Sequence, residues 1–188
     1  MKKHLLLFIA FICIIPLYGQ KLTSKTNLIY GSTLTLNLIM EVGLTEKLTL
    51  DIATGYNPWK FKDNKRFQHW LVQPELRYWL CEQFNGLFFG VHIHGAGFNV
   101  ANVKFPYFSF RSLKDKRFEG WLSGGGVSIG YQWILGKRWN LEAALGAGYA
   151  YMDYTKYGSE DNSALLGRGS YNYWGITRVN LSFVYFIF

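Results

Sequence analysis

Hydrophobic and polar positions alternate with a period of two over most of the chain, the pattern of strands whose two faces differ. From His69 to Leu80, Trp70, Val72, Pro74, Leu76, Tyr78 and Leu80 fall on one face, and Gln73, Glu75 and Arg77 on the other. Between Asn140 and Asp153, Leu141, Ala143, Leu145, Ala147, Tyr149 and Tyr151 oppose Asn140, Glu142, Ala144, Gly146 and Gly148. Leu48, Leu50, Ile52 and Tyr56 oppose Thr49, Asp51, Ala53 and Gly55. Continued along the chain, the pattern predicts eight strands, near 26–33, 37–44, 48–57, 69–80, 86–98, 118–133, 139–153 and 173–188. No stretch beyond the N-terminus suits a transmembrane helix. The longest charge-free run, Gly86–Val103, carries Gly86, Gly90, Gly95, Gly97 and two histidines.

The predicted connections alternate in length. Thr45–Lys47, Cys81–Asn85 and Leu135–Arg138 are short, whereas Pro58–Gln68, Asn99–Arg117 and Tyr154–Asn172 are longer and polar. Thr33–Leu36 breaks the rule by being short. Long loops at one end and tight turns at the other are the habit of outer-membrane barrels. A soluble two-sheet sandwich would show the same alternation, with its apolar face inward. Volume separates the two readings. Eight strands with roughly five large apolar residues each present about forty such side chains, more than an eight-stranded barrel can hold. Turned outward to lipid, they pose no packing problem. The sequence therefore predicts an all-β fold, a transmembrane antiparallel β-barrel of about eight strands, with the sandwich as the alternative. Tyr56, Trp59, Trp70, Trp79, Trp121, Trp133, Trp139, Tyr149, Tyr151, Tyr154 and Trp174 gather near strand ends, where interfacial girdles belong. Phe188, after the aromatic stretch from Leu181, resembles the terminal assembly signal of bacterial outer-membrane barrels, although strict alternation would turn it toward the lumen.

The N-terminus changes the picture of where the chain works. Lys2 and Lys3 precede an apolar run from Leu5 to Ile15, Pro16 breaks it, and Gly19 offers a small residue for cleavage. These are the parts of a secretory signal, assigned to residues 1–19, with the barrel domain at 20–188. The apolar run falls short of the ~20 residues that a spanning helix needs. Cys13 lies inside it and fits a lipidation site poorly. Cys81 is then the single cysteine of the mature chain, so no internal disulfide forms, and it reads as a small side chain at a strand end. Aromatic residues make up 19% of the chain and charged residues only 17%, below the ~25% usual in soluble domains.

Several Trp-rich strings carry a family resemblance: Tyr56-Asn57-Pro58-Trp59, the run from His69 to Trp79, Glu119-Gly120-Trp121, and the run from Gly130 to Glu142. They resemble an uncharacterised family of small Bacteroidota outer-membrane proteins, known as a domain of unknown function. The resemblance covers nearly the whole mature chain. It implies an outer-membrane location, often in gene neighbourhoods with fimbrial or other surface-structure genes, and it transfers no catalytic residue.

The inward face collects Glu41, Asp51, Glu75, Arg77, His92, His94, Glu142 and Arg178. Charges inside a narrow barrel must pair, because an unpaired buried ion costs several kcal/mol. Four carboxylates against two arginines approach balance if the histidines are protonated. The favoured reading is a pairing network that plugs the lumen, and the other is a polar channel or proton path. His92 and His94 share a strand face and suit a metal such as zinc, with Glu75 or Glu142 as a third ligand. A lone His-x-His pair is weak evidence, so no metal and no cofactor are expected. A membrane-embedded hydrolase would need a nucleophile or an acid–histidine pair at the outer rim. His69 and Asp153 are the pair that topology leaves open there, and no serine stands at a comparable spacing.

The formal net charge is +8, of which Lys2 and Lys3 belong to the leader. Much of the rest lies in two predicted outer loops, as Lys60, Lys62, Lys65 and Arg66, then Lys104, Arg111, Lys114, Lys116 and Arg117. Trp59, Phe61, Tyr107, Phe108 and Phe110 add aromatic surface beside them. Basic and aromatic loops suit lipopolysaccharide phosphates, outer-membrane lipid or a surface-structure protein, and nucleic acid is not expected. The sequence thus points to a non-enzymatic barrel with a structural or surface-interaction role, such as an accessory or anchor for fimbriae. The alternative is a narrow channel for small or hydrophobic solutes.

Overall fold

A computed structural model describes residues 21–60, 66–101, 116–158 and 164–187. Eight strands follow one another as β1 (Leu22–Asn27), β2 (Leu36–Thr45), β3 (Leu48–Asn57), β4 (Arg66–Trp79), β5 (Gly86–Ala101), β6 (Lys116–Ile134), β7 (Trp139–Gly158) and β8 (Leu165–Phe186). A five-residue helix, α1 (Leu28–Ser32), sits between β1 and β2. Every strand pairs antiparallel with the next. β1 also pairs with β8, from Thr23 opposite Phe186 to Asn27 opposite Ser182, so the sheet closes into one ring. A closed ring has no second sheet, and the sandwich alternative falls.

Burial alternates along the strands in the sense that volume demanded. On β4, Gln73, Glu75, Arg77 and Trp79 are buried inside the ring, while Trp70, Val72, Leu76 and Tyr78 are exposed outside it. Polar and charged residues therefore outnumber apolar ones in the interior. Gly90 shows how tight that interior is. A Cβ there would stand 2.7 Å from the carboxyl carbon of Glu75. The glycine is the space that the carboxylate fills.

The first strand corrects the sequence reading. It spans Leu22–Asn27 rather than 26–33, and residues 28–32 are helical. Thr23, Lys25 and Asn27 turn inward here, while Leu22, Ser24 and Thr26 make the other face. With hydroxyls on both sides, no apolar alternation marks the strand. Asn27 ends it, its side-chain oxygen accepting a hydrogen bond from the Ile29 N–H at 3.0 Å and capping α1. The β1–β2 connection is thus eight residues with its own helix, at the same end as the β3–β4, β5–β6 and β7–β8 connections. The last of these is a second correction: β7 runs to Gly158 and β8 begins at Leu165 rather than 173, so most of the loop expected at Tyr154–Asn172 is strand.

Strand length is uneven around the ring. β1 has 6 residues and β2 and β3 have 10 each, whereas β6, β7 and β8 have 19, 20 and 22. The extra length lies toward the long connections, so the wall stands tall on one side and low beside α1. Outward aromatics form two bands. Tyr56, Trp70, Trp121 and Trp174 face out toward the long-connection end, and Tyr131, Trp133 and Trp139 toward the tight turns. Two residues expected in these bands sit elsewhere. Trp79 is fully buried inside the ring, and Tyr154 turns inward on β7.

At the tight-turn end the ring is closed by aromatic packing. Phe84, in the β4–β5 turn, adopts φ 65° and folds its ring back inside, 6.0 Å from Trp79 and 5.4 Å from Phe186. Positive φ is uncommon for a non-glycine residue, and burial of the ring together with the Asn140 side-chain N–H bond to its carbonyl (3.2 Å) holds it there. Trp79 packs against Phe88 at 4.7 Å between ring centroids and donates its indole N–H to the Thr49 hydroxyl at 2.9 Å. Trp79→Ala should lower stability by ~3–5 kcal/mol, the range for emptying an aromatic core site. Trp174→Ala, on the outer wall, should cost less. Urea unfolding midpoints of the two variants measure this, and equal losses would contradict the packed floor.

Candidate functional site

Above that floor, seven charged side chains from six strands meet in the lumen. Arg77 on β4 lies at the centre. Its guanidinium reaches Glu75 at 2.7 Å, Glu142 at 2.9 Å, Glu41 at 3.1 Å and Asp51 at 3.3 Å, and it rests 4.4 Å from the Phe88 ring centroid. Lys25 on β1 contacts Glu41, and holds Glu142 at 2.6 Å and Asp51 at 3.1 Å. Arg178 on β8 binds Asp51 at 2.8 Å and approaches Glu75 at 3.5 Å. Neutral donors complete the carboxylates. Ser128 donates to Glu75 at 2.9 Å, Asn180 to Glu142 at 2.6 Å, and Thr49 to Glu41. All of these charged side chains are almost wholly removed from solvent, so each ion depends on its neighbours.

All eight inward residues named from the sequence are buried, and seven of them join this assembly or border it. His92 stands 3.3 Å from Glu75 by Nδ1 and 2.9 Å from the Thr177 hydroxyl by Nε2. His94 packs beside His92 at 5.8 Å between ring centroids, and its Nδ1 has no hydrogen-bond partner among the described residues. Lys25 was missed, because the predicted first strand began after it. It supplies the cation that the sequence reading had sought in protonated histidines. Its signal was present: Thr23, Lys25 and Asn27 alternate toward the same face that Glu41 and Asp51 occupy on β2 and β3.

Two chemical alternatives find different placements. His92 has both ring nitrogens near Thr177 and Glu75, and no group of three or more His, Cys, Asp or Glu side chains suited to a metal occurs among the described residues. His69 and Asp153 do not meet. His69 faces inward on β4 with Nδ1 3.2 Å from the Phe67 carbonyl, and Asp153 is exposed on β7 opposite Trp121 and Ser170. Cys81 is a free thiol in the exposed β4–β5 turn.

The expected outer-loop contacts are divided. Trp59 is half exposed, with its indole N–H donating to the Leu34 carbonyl at 2.8 Å, which ties the β3–β4 connection to the one after α1. Lys60 is exposed and bridges to Arg66 through backbone pairing. Arg66 is a correction: it begins β4 opposite Ala101 and is buried, so it is not a solvated loop charge. Arg117 lies within β6, stacked 4.5 Å from the Tyr157 ring centroid and 3.6 Å from Glu119. Lys62, Lys104, Tyr107, Phe108, Arg111 and Lys114 lie outside the described residues, as do Phe61 and Phe110.

With this geometry in place, comparison with known proteins gives one match, to a family described as proteins of unknown function, DUF3575, over residues 5–187. The chain belongs to the DUF3575 family. No curated protein and no solved structure matches it. For this DUF3575 member, site chemistry therefore rests on the lumen itself.

The network makes two predictions of its own. Lys25→Met removes one of three cations facing four carboxylates and should destabilise the barrel by ~3–5 kcal/mol, whereas Lys137→Ala, in an exposed turn, should cost little. Adding Glu142→Gln to Lys25→Met should restore part of the loss, since the carboxylate freed of its cation is gone. Chemical denaturation of the single and double variants forms the cycle. Strict additivity would show that Lys25 and Glu142 do not share an interaction.

Proposed function

We propose that this protein is a non-enzymatic transmembrane β-barrel of the bacterial outer membrane. Its lumen is plugged, and its role is structural or interactive, exerted at the end bearing the long connections. The observation that carries this reading is the inversion of the ring: charges inside, large apolar residues outside, between two aromatic bands. On β6, Trp121 and Tyr131 are about ten residues apart, or ~33 Å of strand at ~3.3 Å per residue. Tilted by ~45°, that run spans ~24 Å, the height of the apolar belt of an outer-membrane barrel. Charged groups filling the bore leave no water column, which supports a plug over a channel.

A plugged, lipid-bounded wall leaves the outer end as the surface for partners. Exposed Lys60 and Lys116 and the Arg117–Tyr157 stack stand there, facing the region of lipopolysaccharide phosphates, where basic groups gain Coulomb energy. Anchoring or assisting a surface structure such as fimbriae is the role that fits such an end.

Cell fractionation tests the location: we expect the protein in the outer membrane, with a heat-modifiable band on unboiled gels. Recovery as a soluble periplasmic monomer would overturn the barrel reading. In planar bilayers the purified protein should give no reproducible conductance steps. Shortening the 102–115 connection should leave heat-modifiability intact while abolishing co-purification of a surface protein. Loss of partners upon substitution in the tight turns instead would place the contact on the opposite side.

A further inference from the structure

The plug fills only the half of the lumen nearest the tight turns. Beyond it the inward face changes character, and the ring opens into a cavity of about 680 Å³. Its walls are Phe67 and Leu71 of β4, Phe98 of β5, Phe118 and Leu122 of β6, and Met152 of β7. This is the inward face of strands that, lower down, carry Glu75, Arg77, His92 and Glu142. An apolar inward face beside a charged one is stable only where something apolar fills or covers it. The volume lies within the ~300–1,000 Å³ of pockets that enclose small ligands.

Charge narrows the occupant. Lys156 lies in the cavity wall, its Nζ 5.3 Å from the Tyr154 ring centroid and 5.9 Å from that of Phe118. It has no ion-pair partner among the described residues, and no described carboxylate lines the cavity. A lone ammonium held over aromatic faces at the rim of an apolar chamber is suited to an anionic head group.

Access follows from the uneven wall. β1 to β3 stop near the level of the outer aromatic band, where Leu36 stands opposite Tyr56, while β6 to β8 continue beyond it. Among the described residues, α1 covers the low side. Tyr30 of α1 leans inward over Gly55, where a Cβ would stand 3.4 Å from its ring, and burial raises its phenol pKa, with Arg178 opposing. Leu28, Ile29 and Leu34 of the same connection are exposed. The threshold between cavity and surroundings is therefore apolar at the height where a membrane surface would lie.

We propose that this chamber binds a single-chain anionic amphiphile of the long-chain fatty-acid type. Its hydrocarbon chain lies against Leu71, Phe98, Leu122 and Met152, and its head group pairs with Lys156. The several acyl chains of a lipopolysaccharide exceed the volume. The inference rests on the membrane reading for the route of entry over α1, and on the cavity alone for binding.

The test uses the full-length protein in phosphatidylcholine vesicles with a diazirine-bearing fatty acid, photo-crosslinked and mapped by mass spectrometry. We expect label on the inward residues Leu122 and Met152 beside the generic label of the outer wall. Ala96→Trp and Leu122→Trp, each checked for heat-modifiability, should erase the inward label and spare the outer one. Lys156→Gln should raise the fatty acid needed for half-labelling by about tenfold, the worth of a charge-assisted hydrogen bond. It should leave the matching fatty alcohol unchanged. Competition by palmitate is expected, whereas competition by lysophosphatidylcholine alone, which carries no net charge, would overturn the proposal. Label confined to the outer wall, inward label that survives both tryptophan variants, or competition by neither compound would overturn it. Conductance would sink the plugged-lumen reading and a periplasmic location the membrane reading, whereas an unlabelled chamber in a heat-modifiable, non-conducting barrel would sink only this proposal.

Discussion

Four carboxylates point into a ring too narrow to hydrate them, and much of the structure follows from that constraint. Each must meet a cation at contact distance or carry a desolvation cost of several kcal/mol. Arg77 meets this demand by presenting a planar fork to Glu41, Glu75 and Glu142 at once, with Asp51 also within 3.3 Å. Lys25 and Arg178, on the two strands that close the ring, tie its seam to β2, β3, β4 and β7. An offset of one residue in any of these strands would turn its charge to the outer wall. The ion cluster therefore specifies register at least as much as it stabilises.

The cluster also divides the lumen. Below it, Trp79, Phe84 and Phe88 close the ring with aromatic packing. Above it the inward residues become Leu71, Phe98, Leu122 and Met152. A charged middle between two apolar ends separates a sealed floor from an open chamber. The same ring can thus be filled at one level and still offer a cavity at another. Strand length adds a direction to this arrangement, since the long β6–β8 wall shelters the chamber on one side and α1 borders it on the other.

Much of the architecture was legible in the sequence. Strands β3 to β7 were placed within a few residues, and the inward set Glu41, Asp51, Glu75, Arg77, Glu142 and Arg178 came from alternation alone. This worked because a side chain's face in a strand depends only on its parity, a local property. The first strand failed because Thr23, Ser24 and Thr26 supply no contrast between faces, and Lys25 was lost with it. Trp79 and Tyr154 were misplaced for a related reason. Residue type was allowed to outrank position, although an aromatic near a strand end faces in or out by parity like any other.

What the sequence determined by itself was which residues share a face and how many strands there are, since both depend on neighbours along the chain. Tertiary structure alone decided which charges meet, because Arg77 and Glu142 are 65 residues apart and touch only when the ring closes. It decided the chamber as well. Leu71, Phe98, Leu122 and Met152 look ordinary one at a time, and they surround a single cavity only because four strands of unequal height stand around the same axis.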